Sequence, residues 1–490
     1  MNERPIFSKI LIANRGEIAV RIIRSAKEMN IKTVAVYSDA DEKSLHALIA
    51  DEAYRLGPPP PKESYLNIQR IIEIALESGA EAIHPGYGFL AENPEFVEKI
   101  EKSGLTFIGP PSSVQRKVGK KLDTRRYLYK CGIPVVPGSF KPLDLSEAYE
   151  FAKDLGYPII VKPAAGGGGI GMSIVWNPNE LDTALDKASK ISSSTFGSPD
   201  VYIEKYFPGA RHIEVQILAD NHGNIIHLFE RECSIQRRFQ KIIEETPSPA
   251  LTDKLREKVF EYALKTAKAI SYVNAGTIEF LYNPHRQEFF LLEINSRIQV
   301  EHPITEMTTG IDIVKEQIKI AAGFELEYKQ NDITRRGHAI EARIYAEDPL
   351  NNFLPSPGYI SRLYIPSGPW TRVDNGIYEG CNVPPYYDPL LFKLIVWGRD
   401  REEAINRLMR SLREVVIEGI KHNVPLHLAI LNDKDFREGH YSTRYLSEKN
   451  FREKMEEYRH KIKLPRHKKK EVQKVISQVD VWRFAAKSGL

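Results

Sequence analysis

The sequence predicts an α/β chain that passes into α+β. An open parallel sheet comes first, and two further regions mix strands and helices. Three observations lead there. Lys9-Ile10-Leu11-Ile12-Ala13, the amphipathic stretch Glu17 to Met29 and Thr33-Val34-Ala35-Val36-Tyr37 read as strand, helix and strand, the opening of an open α/β sheet. Pro158-Ile159-Ile160-Val161-Lys162 is an apolar strand that runs into Ala164-Ala165-Gly166-Gly167-Gly168-Gly169-Ile170-Gly171. His338-Ala339-Ile340-Glu341-Ala342-Arg343-Ile344-Tyr345 alternates like a strand in a later region.

Composition sets the bounds. A chain of 490 residues with 42% hydrophobic and 27% charged residues is a globular protein of two to four domains. No apolar run approaches the ~18 residues of a membrane span, and Met1-Asn2-Glu3-Arg4-Pro5 lacks a signal-peptide pattern, so a cytoplasmic location is expected. Cys131, Cys233 and Cys381 are odd in number and far apart, which points to reduced thiols. The net charge is +4, but residues 448–490 hold 13 basic against 6 acidic groups, +7, which leaves 4 − 7 = −3 for the body. A basic nucleic-acid surface is therefore not expected there.

In chain order, Asn14-Arg15-Gly16-Glu17 follows the first strand without the three-glycine dinucleotide fingerprint. Helix Ile68 to Leu76 and His84-Pro85-Gly86-Tyr87-Gly88 continue the unit to a boundary at Pro110-Pro111. A basic helix is expected from Lys117 to Tyr129. The glycine loop after Lys162 lets backbone N–H groups wrap phosphate oxygens while the lysine adds a point charge, and it is not a Walker pattern. Strands are expected at Val201 to Tyr206, His212 to Leu218 and Ile225 to Glu230, then a cationic segment from Glu232 to Lys241. Helix Asp253 to Ile270 leads to the strand of Glu279. Helix Ile311 to Ala322, the turns Pro355-Ser356-Pro357-Gly358 and Pro384-Pro385-Tyr386-Tyr387-Asp388-Pro389, and helix Glu402 to Glu418 complete the body.

The richest stretch is Glu293-Ile294-Asn295-Ser296-Arg297-Ile298-Gln299-Val300-Glu301-His302. Strand alternation would set Glu293, Asn295, Arg297, Gln299 and Glu301 on one face and Leu292, Ile294, Ile298 and Val300 in the core. Such a row would extend roughly 26 Å at ~3.3 Å per residue, too far for one ion or one small substrate. Its leading end, with Glu279 on the preceding strand, offers hard oxygen ligands of the kind that hold phosphate-bridging magnesium. Its trailing end offers a guanidinium fork for a small planar oxyanion and a carboxylate able to take a proton.

These motifs together resemble the biotin carboxylases, the ATP-grasp components of biotin-dependent carboxylases, over nearly all of residues 5–446. The shared segments are Asn14 to Ala19, His84 to Asn93, the Lys162 strand with its glycine loop, Glu230 to Lys241, Glu293 to Glu306 and Gly337 to Pro349. The resemblance implies an ATP-grasp fold in four parts: residues 1–116, an amino-terminal Rossmann-like domain; 117–333, the ATP-grasp domain with a lid at about 134–207; 334–447, a carboxy-terminal α+β domain; and 448–490, a basic extension. It implies ATP contacts from Lys121, Lys162, Gly168, Gly169, Glu204, Lys205, Phe207, His212, Gln236, Glu279 and Glu293, and a Mg2+ or Mn2+ site from Glu279, Glu293 and Asn295. Lys241, Arg297, Gln299 and the Val300 backbone would form the bicarbonate pocket, Glu301 would deprotonate bicarbonate and Arg343 would bind biotin and stabilise its enolate. Phe239, Ile170 and Lys120 stand where the family usually has a histidine, an arginine and an acid, which concerns nucleotide affinity and loop motion rather than the chemistry.

No carrier-like segment and no Met-Lys-Met biotinylation site occurs, so biotin is expected as a substrate on a separate biotin carboxyl carrier protein. The resemblance further implies a carboxyltransferase subunit, and a homodimer of this chain within an acetyl- or propionyl-CoA carboxylase. The alternatives are the biotin carboxylase component of a pyruvate carboxylase, or an ATP-grasp ligase joining a carboxylate to an amine.

Overall fold

In the computed structural model residues 6–164, 171–196 and 199–461 are described. Strands β1 (Lys9–Ile12), β2 (Lys32–Ser38), β3 (Glu52–Gly57), β4 (Ala82–His84) and β5 (Thr106–Phe107) form a parallel sheet in the order β3-β2-β1-β4-β5. The chain starts in the middle and winds outward both ways, as the alternation of strand and helix requires. Helix Gly16–Glu28 follows β1 because Ile18, Ile22 and Ala26, with Ala19 and Ile23, recur on one face and are buried.

Beyond helix Ser112–Gly119 the expected basic helix breaks at Lys120 and resumes as Lys121–Lys130. A small sheet in the order β7-β6-β8 is built from β6 (Ile159–Pro163), β7 (Ser173–Val175) and β8 (Val201–Lys205). Gly168, Gly169 and Ile170 lie outside the described residues, as do Trp482 and Phe484 of the extension.

The central feature is an eight-stranded antiparallel sheet. Its strands include β9 (Arg211–Ala219), β10 (Ile225–Arg237), β11 (Gln240–Thr246), β12 (Asn274–Asn283), β13 (Glu288–Asn295) and β14 (His338–Tyr345). Their order is β13-β12-β9-β10-β11-β14, continued by Leu390–Gly398 and Thr371–Asn375. Ladder pairing between β11 and β14, with Glu244 opposite Glu341, makes one sheet of segments far apart in the chain. The expected strand Ile225 to Glu230 continues to Arg237, so the cationic segment is a hairpin, turned at Arg238 and Phe239 with φ of 49° and 68°. The expected helix Glu402 to Glu418 ends at Glu414, and Val416–Glu418 is a strand.

One face of the central sheet packs on helix Asp253–Ile270: Ile213, Val215, Ile217, Ile278 and Phe280 meet Leu255, Val259, Ala263 and Ala267. A second cluster joins Ile10 and Ile12 of the first sheet, and Ile18 and Ile22 of helix Gly16–Glu28, to Ala275, Ile298, Ile313 and Ile318. The start of the extension docks on the body through Phe451 and Met455, the latter on helix Arg452–Lys461. Among the described residues no helix is long and apolar enough to cross a membrane.

A buried ion pair fixes the loop after β1. Asp41 accepts from Arg15 at 2.6 and 2.8 Å and from the Tyr65 hydroxyl at 2.6 Å. Burial would raise this carboxyl, but the Arg15 bonds outweigh it and hold Asp41 at about 2, below its ordinary 3.8. The stability that Asp41 contributes is thus full above its ordinary value and lost as pH falls through about 2. Asp41→Asn leaves Arg15 uncompensated and is expected to cost about 3 kcal/mol in denaturant titrations at neutral pH, a deficit that narrows in strong acid.

Candidate active site

The opposite face of the central sheet is polar and buried, and local sequence explains how. On β9, Ile213, Val215 and Ile217 face the core, so His212, Glu214 and Gln216 share the other side. On β12 the same alternation sends Ile278 and Phe280 inward and Glu279 outward. On β13 the alternation is interrupted: Phe280 pairs with Leu291 and Glu279 with Glu293, which leaves Leu292 as an extra residue. This bulge changes faces. Phe289 and Leu291 are core before it and Ile294 after it, so Glu293 and Asn295 emerge beside Glu279. Leu292, expected in the core, is half-buried.

The extended polar row does not form as expected. Strand β13 ends at Asn295, and Glu301 stands immediately before helix His302–Thr309. Gln115 donates to the Ser296 carbonyl at 3.0 Å and Ile298 enters the isoleucine cluster, so the chain turns back on itself. Local alternation could not foresee this, because both anchors are distant in sequence. Consequently the polar groups converge: Gln299 Nε2 and Asn295 Nδ2 donate to Glu279 Oε1 at 3.1 and 2.9 Å. Arg297 donates to Asn295 Oδ1 and Gln299 Oε1, both at 3.0 Å, and pairs with Glu92 at 3.2 Å.

Lys241, the one cation of the hairpin segment turned into this face, is its centre. Its ammonium lies 2.6 Å from Glu214, 2.9 Å from Glu279 and 2.6 Å from Glu301. Arg231, fully buried, holds the other oxygen of Glu214 at 2.5 Å, and Arg343 meets the other oxygen of Glu301 at 2.9 Å. Burial would raise the Glu301 carboxyl, but Lys241, Arg343 and Arg231 hold it well below the usual range, so it is an anion, and a weak base while those cations stay on it. Burial would lower Lys241, yet its three carboxylates, Glu214, Glu279 and Glu301, keep it charged far above the usual lysine range. Glu279 is likewise held low against its burial, by Lys241 and His212, whose Nε2 stands 2.9 Å away.

The groups expected to hold a divalent cation suit one. Glu279 and Glu293 are directly opposite on neighbouring strands, where two like charges repel unless a cation lies between them. Asn295, opposite Thr277, adds a neutral oxygen. His212, Glu214 and Glu279 offer ligand atoms within 4.8 Å of one another, though the Lys241 ammonium already stands between the two carboxylates.

The remaining expected residues surround this centre. Lys121 opens its helix and reaches Glu293 at 3.5 Å; Lys162 pairs with Glu204 at 2.6 Å. Gln236 lies 2.7 Å from His212 Nδ1. Phe207 stacks on Phe290 with ring centroids 5.1 Å apart, whereas the Lys205 ammonium is turned to the Gly156 and Tyr157 carbonyls. The Val300 carbonyl accepts from Lys393 at 2.8 Å. Phe239 is 41% exposed at its hairpin turn.

Residues 6–114 match the family described as Biotin carboxylase, N-terminal domain, and residues 341–448 that described as Biotin carboxylase C-terminal domain. Residues 120–329 match Carbamoyl-phosphate synthase L chain, ATP binding domain. The chain belongs to the biotin carboxylase family. Such enzymes are ATP-dependent ligases of the ATP-grasp fold. The chain is 53% identical to a pyruvate carboxylase subunit of Methanothermobacter thermautotrophicus over 90% of each chain. It is 50% identical to biotin carboxylase 1 of Bacillus subtilis over 90% of this chain and 98% of that one. The biotin carboxylase domain dimer of Hydrogenobacter thermophilus 2-oxoglutarate carboxylase, solved with MgADP, ADP and bicarbonate, superposes with a TM-score of 0.88 at 47% identity. That match covers 94% of this chain and 99% of the other.

Sequence reasoning passed over several groups of this biotin carboxylase site: Glu214, Arg231, Glu92, Glu244, Glu341 and Lys393. A signal existed for Glu214 and Glu341, each the acidic member of an alternating apolar strand, but none for Lys393, which reaches Val300 from a strand buried along most of its length. Lys241→Met would leave Glu214, Glu279 and Glu301 without their shared cation, at an expected cost of about 3–5 kcal/mol at neutral pH. The deficit should shrink in mildly acidic buffer, where the freed carboxylates take up protons while wild-type Lys241 stays charged. Chemical denaturation at the two pH values tests this.

Proposed function

We propose that this biotin carboxylase uses ATP and bicarbonate to carboxylate biotin presented by a separate biotin carboxyl carrier protein, as one component of a larger carboxylase. The observation that carries the reading is Glu301, a buried carboxylate with Lys241 on one oxygen and Arg343 on the other. A ligase joining a carboxylate to an amine needs no such arrangement. Bicarbonate must meet ATP although both are anions, and Lys241 and Arg297 supply the charge that offsets their repulsion.

In the proposed reaction bicarbonate lies against Lys241, Arg297, Gln299 and the Val300 backbone. Glu301 accepts its proton. As Lys241 and Arg343 turn toward the incoming anions, their pull on Glu301 weakens and its proton affinity rises, so substrate binding itself strengthens the base. The bicarbonate oxygen attacks the terminal phosphorus, and the bond to ADP breaks to give carboxyphosphate. Glu279, Glu293 and Asn295 would hold a divalent cation, which would supply positive charge to offset that of the nucleotide phosphates. Lys121, Lys162, His212 and Gln236 hold and orient the nucleotide. Carboxyphosphate breaks to CO2 and phosphate, the phosphate removes the ureido N–H proton of biotin, and Arg343 stabilises the resulting anion while its nitrogen bonds to CO2.

For the final acceptor the reading is an acyl-CoA carboxylase, in which a homodimer of this chain works with a carboxyltransferase subunit. A second reading, a 2-oxoacid carboxylase, has its own support: the 53% identical pyruvate carboxylase component, of which the match leaves a tenth uncovered as it does here, and the 2-oxoglutarate carboxylase domain.

ADP release by the purified chain is expected to require bicarbonate and to rise with free biotin. Glu301→Gln should lower it by about 10²–10⁴-fold. Release unaffected by either bicarbonate or biotin would refute the reading. Transfer from carboxylated carrier to acetyl-CoA, propionyl-CoA or pyruvate, with the matching carboxyltransferase, decides the acceptor.

A further inference from the structure

Two carboxyls behind Arg343 have no part in the reaction described so far. Glu244 on β11 and Glu341 on β14 are directly opposite across an antiparallel pair, and both side chains are fully buried. Cross-strand partners of this kind have Cβ atoms about 5 Å apart, close enough for carboxyl groups to touch. Their neighbour Glu245 shows how a buried carboxylate is ordinarily compensated: it takes Arg401 at 2.7 and 2.9 Å and His338 at 2.7 Å. Glu341 has nothing comparable, since among the described residues neither of its oxygens has a hydrogen-bond partner.

The charges around Glu341 are committed elsewhere. On its own strand Arg343 contacts Glu244 and holds Glu301 at 2.9 Å. On the adjacent strand Leu390–Gly398, Lys393 donates to the Val300 carbonyl at 2.8 Å and lies 3.2 Å from Glu17 and 3.7 Å from Asp374. Lys241 faces Glu244 from the same strand, and Glu301 faces both carboxyls from the start of helix His302–Thr309. Two ionised carboxylates here would stand buried with Arg343 as the one cation in direct contact, Lys241 and Lys393 being engaged with other partners, a state that proteins avoid by keeping a proton.

We propose that Glu244 and Glu341 share one proton at neutral pH, and that this dyad sets how much of the Arg343 guanidinium remains available to Glu301 and the biotin anion. The inference rests on the reading above only in that Arg343 faces that anion. With one proton the dyad presents a single negative charge to Arg343, through Glu244. Loss of the proton presents two, draws Arg343 back, and weakens the biotin step, where Arg343 meets the anion, more than ATP cleavage, which it affects only through Glu301. Burial raises both carboxyls, Glu244 to about 7 in spite of Arg343, and Glu341 well above the usual range with Lys393 only partly offsetting it. The two titrate as a pair, so the shared proton leaves well above the usual carboxylate range. Glu341 is a positioning residue.

The test compares two rates over pH: carboxylation of free biotin, and bicarbonate-dependent ATP cleavage without biotin. In the wild type the ratio of the first to the second should fall on the alkaline side. Glu341→Gln, which cannot ionise, should move that fall upward by at least about one pH unit or remove it, and Glu341→Asp should retain it. A ratio profile that superimposes on the wild type, or one lowered equally at every pH, overturns the proposal. Infrared spectroscopy of the substrate-free enzyme gives an independent reading. A deuterium-sensitive C=O band of a protonated carboxyl should be present at neutral pH, vanish on alkaline titration, and be lost in Glu341→Gln. Absence of that band in the wild type overturns the dyad even should the variants fail to fold. Since no substrate is present, that result does not depend on the biotin reading.

Discussion

Three carboxylates, one each from β9, β12 and the turn before helix His302–Thr309, close around a single ammonium, that of Lys241. Each has left water, and any of them alone would be too costly to bury as an anion. Grouped around Lys241, with Arg231 and Arg343 behind them, Glu279 and Glu301 keep their charge, whereas burial raises Glu214 despite Arg231. The sheet can therefore carry ionised groups on a buried face, and the turn bearing Arg297, Gln299 and Glu301 has a fixed point to close upon. A charge-compensated interior of this kind is also pre-organised: an incoming anion finds cations already oriented and desolvated, and redistributes them rather than gathering them.

That arrangement needs parts of the chain that are remote from one another. The first sheet contributes the isoleucines that hold Ile298, and through helix Ser112–Gly119 it contributes Gln115, which pins Ser296. The carboxy-terminal region contributes Arg343 and Lys393, carried on strands that extend the central sheet past β11. A fragment ending before residue 338 would keep the cation ligands and lose Arg343, one of the two cations paired with Glu301.

Much of the site could be read in advance because strand alternation is local. The polar members of Arg211–Ala219 and His338–Tyr345, and the carboxylate Glu279, follow directly from which neighbours are apolar. The segment from Ser296 to Glu301 misled for the same reason: it continues the alternating pattern beyond the end of the strand, although Gln115 and the isoleucine cluster bend it back. The row that ought to have been too long for one ligand is instead folded onto Glu279. Lys393 gave no sign at all, since one buried lysine in a strand shows its purpose only once the partner loop lies beside it.

By itself the sequence determined which chemical groups this protein has and, within each strand, which of them share a face, because both follow from composition and from a two-residue period. Tertiary structure alone decided that these groups meet. The extra residue at Leu292 turns Glu293 toward Glu279, the pairing of β11 with β14 brings Arg343 to Glu301, and both depend on contacts between segments that no local pattern relates.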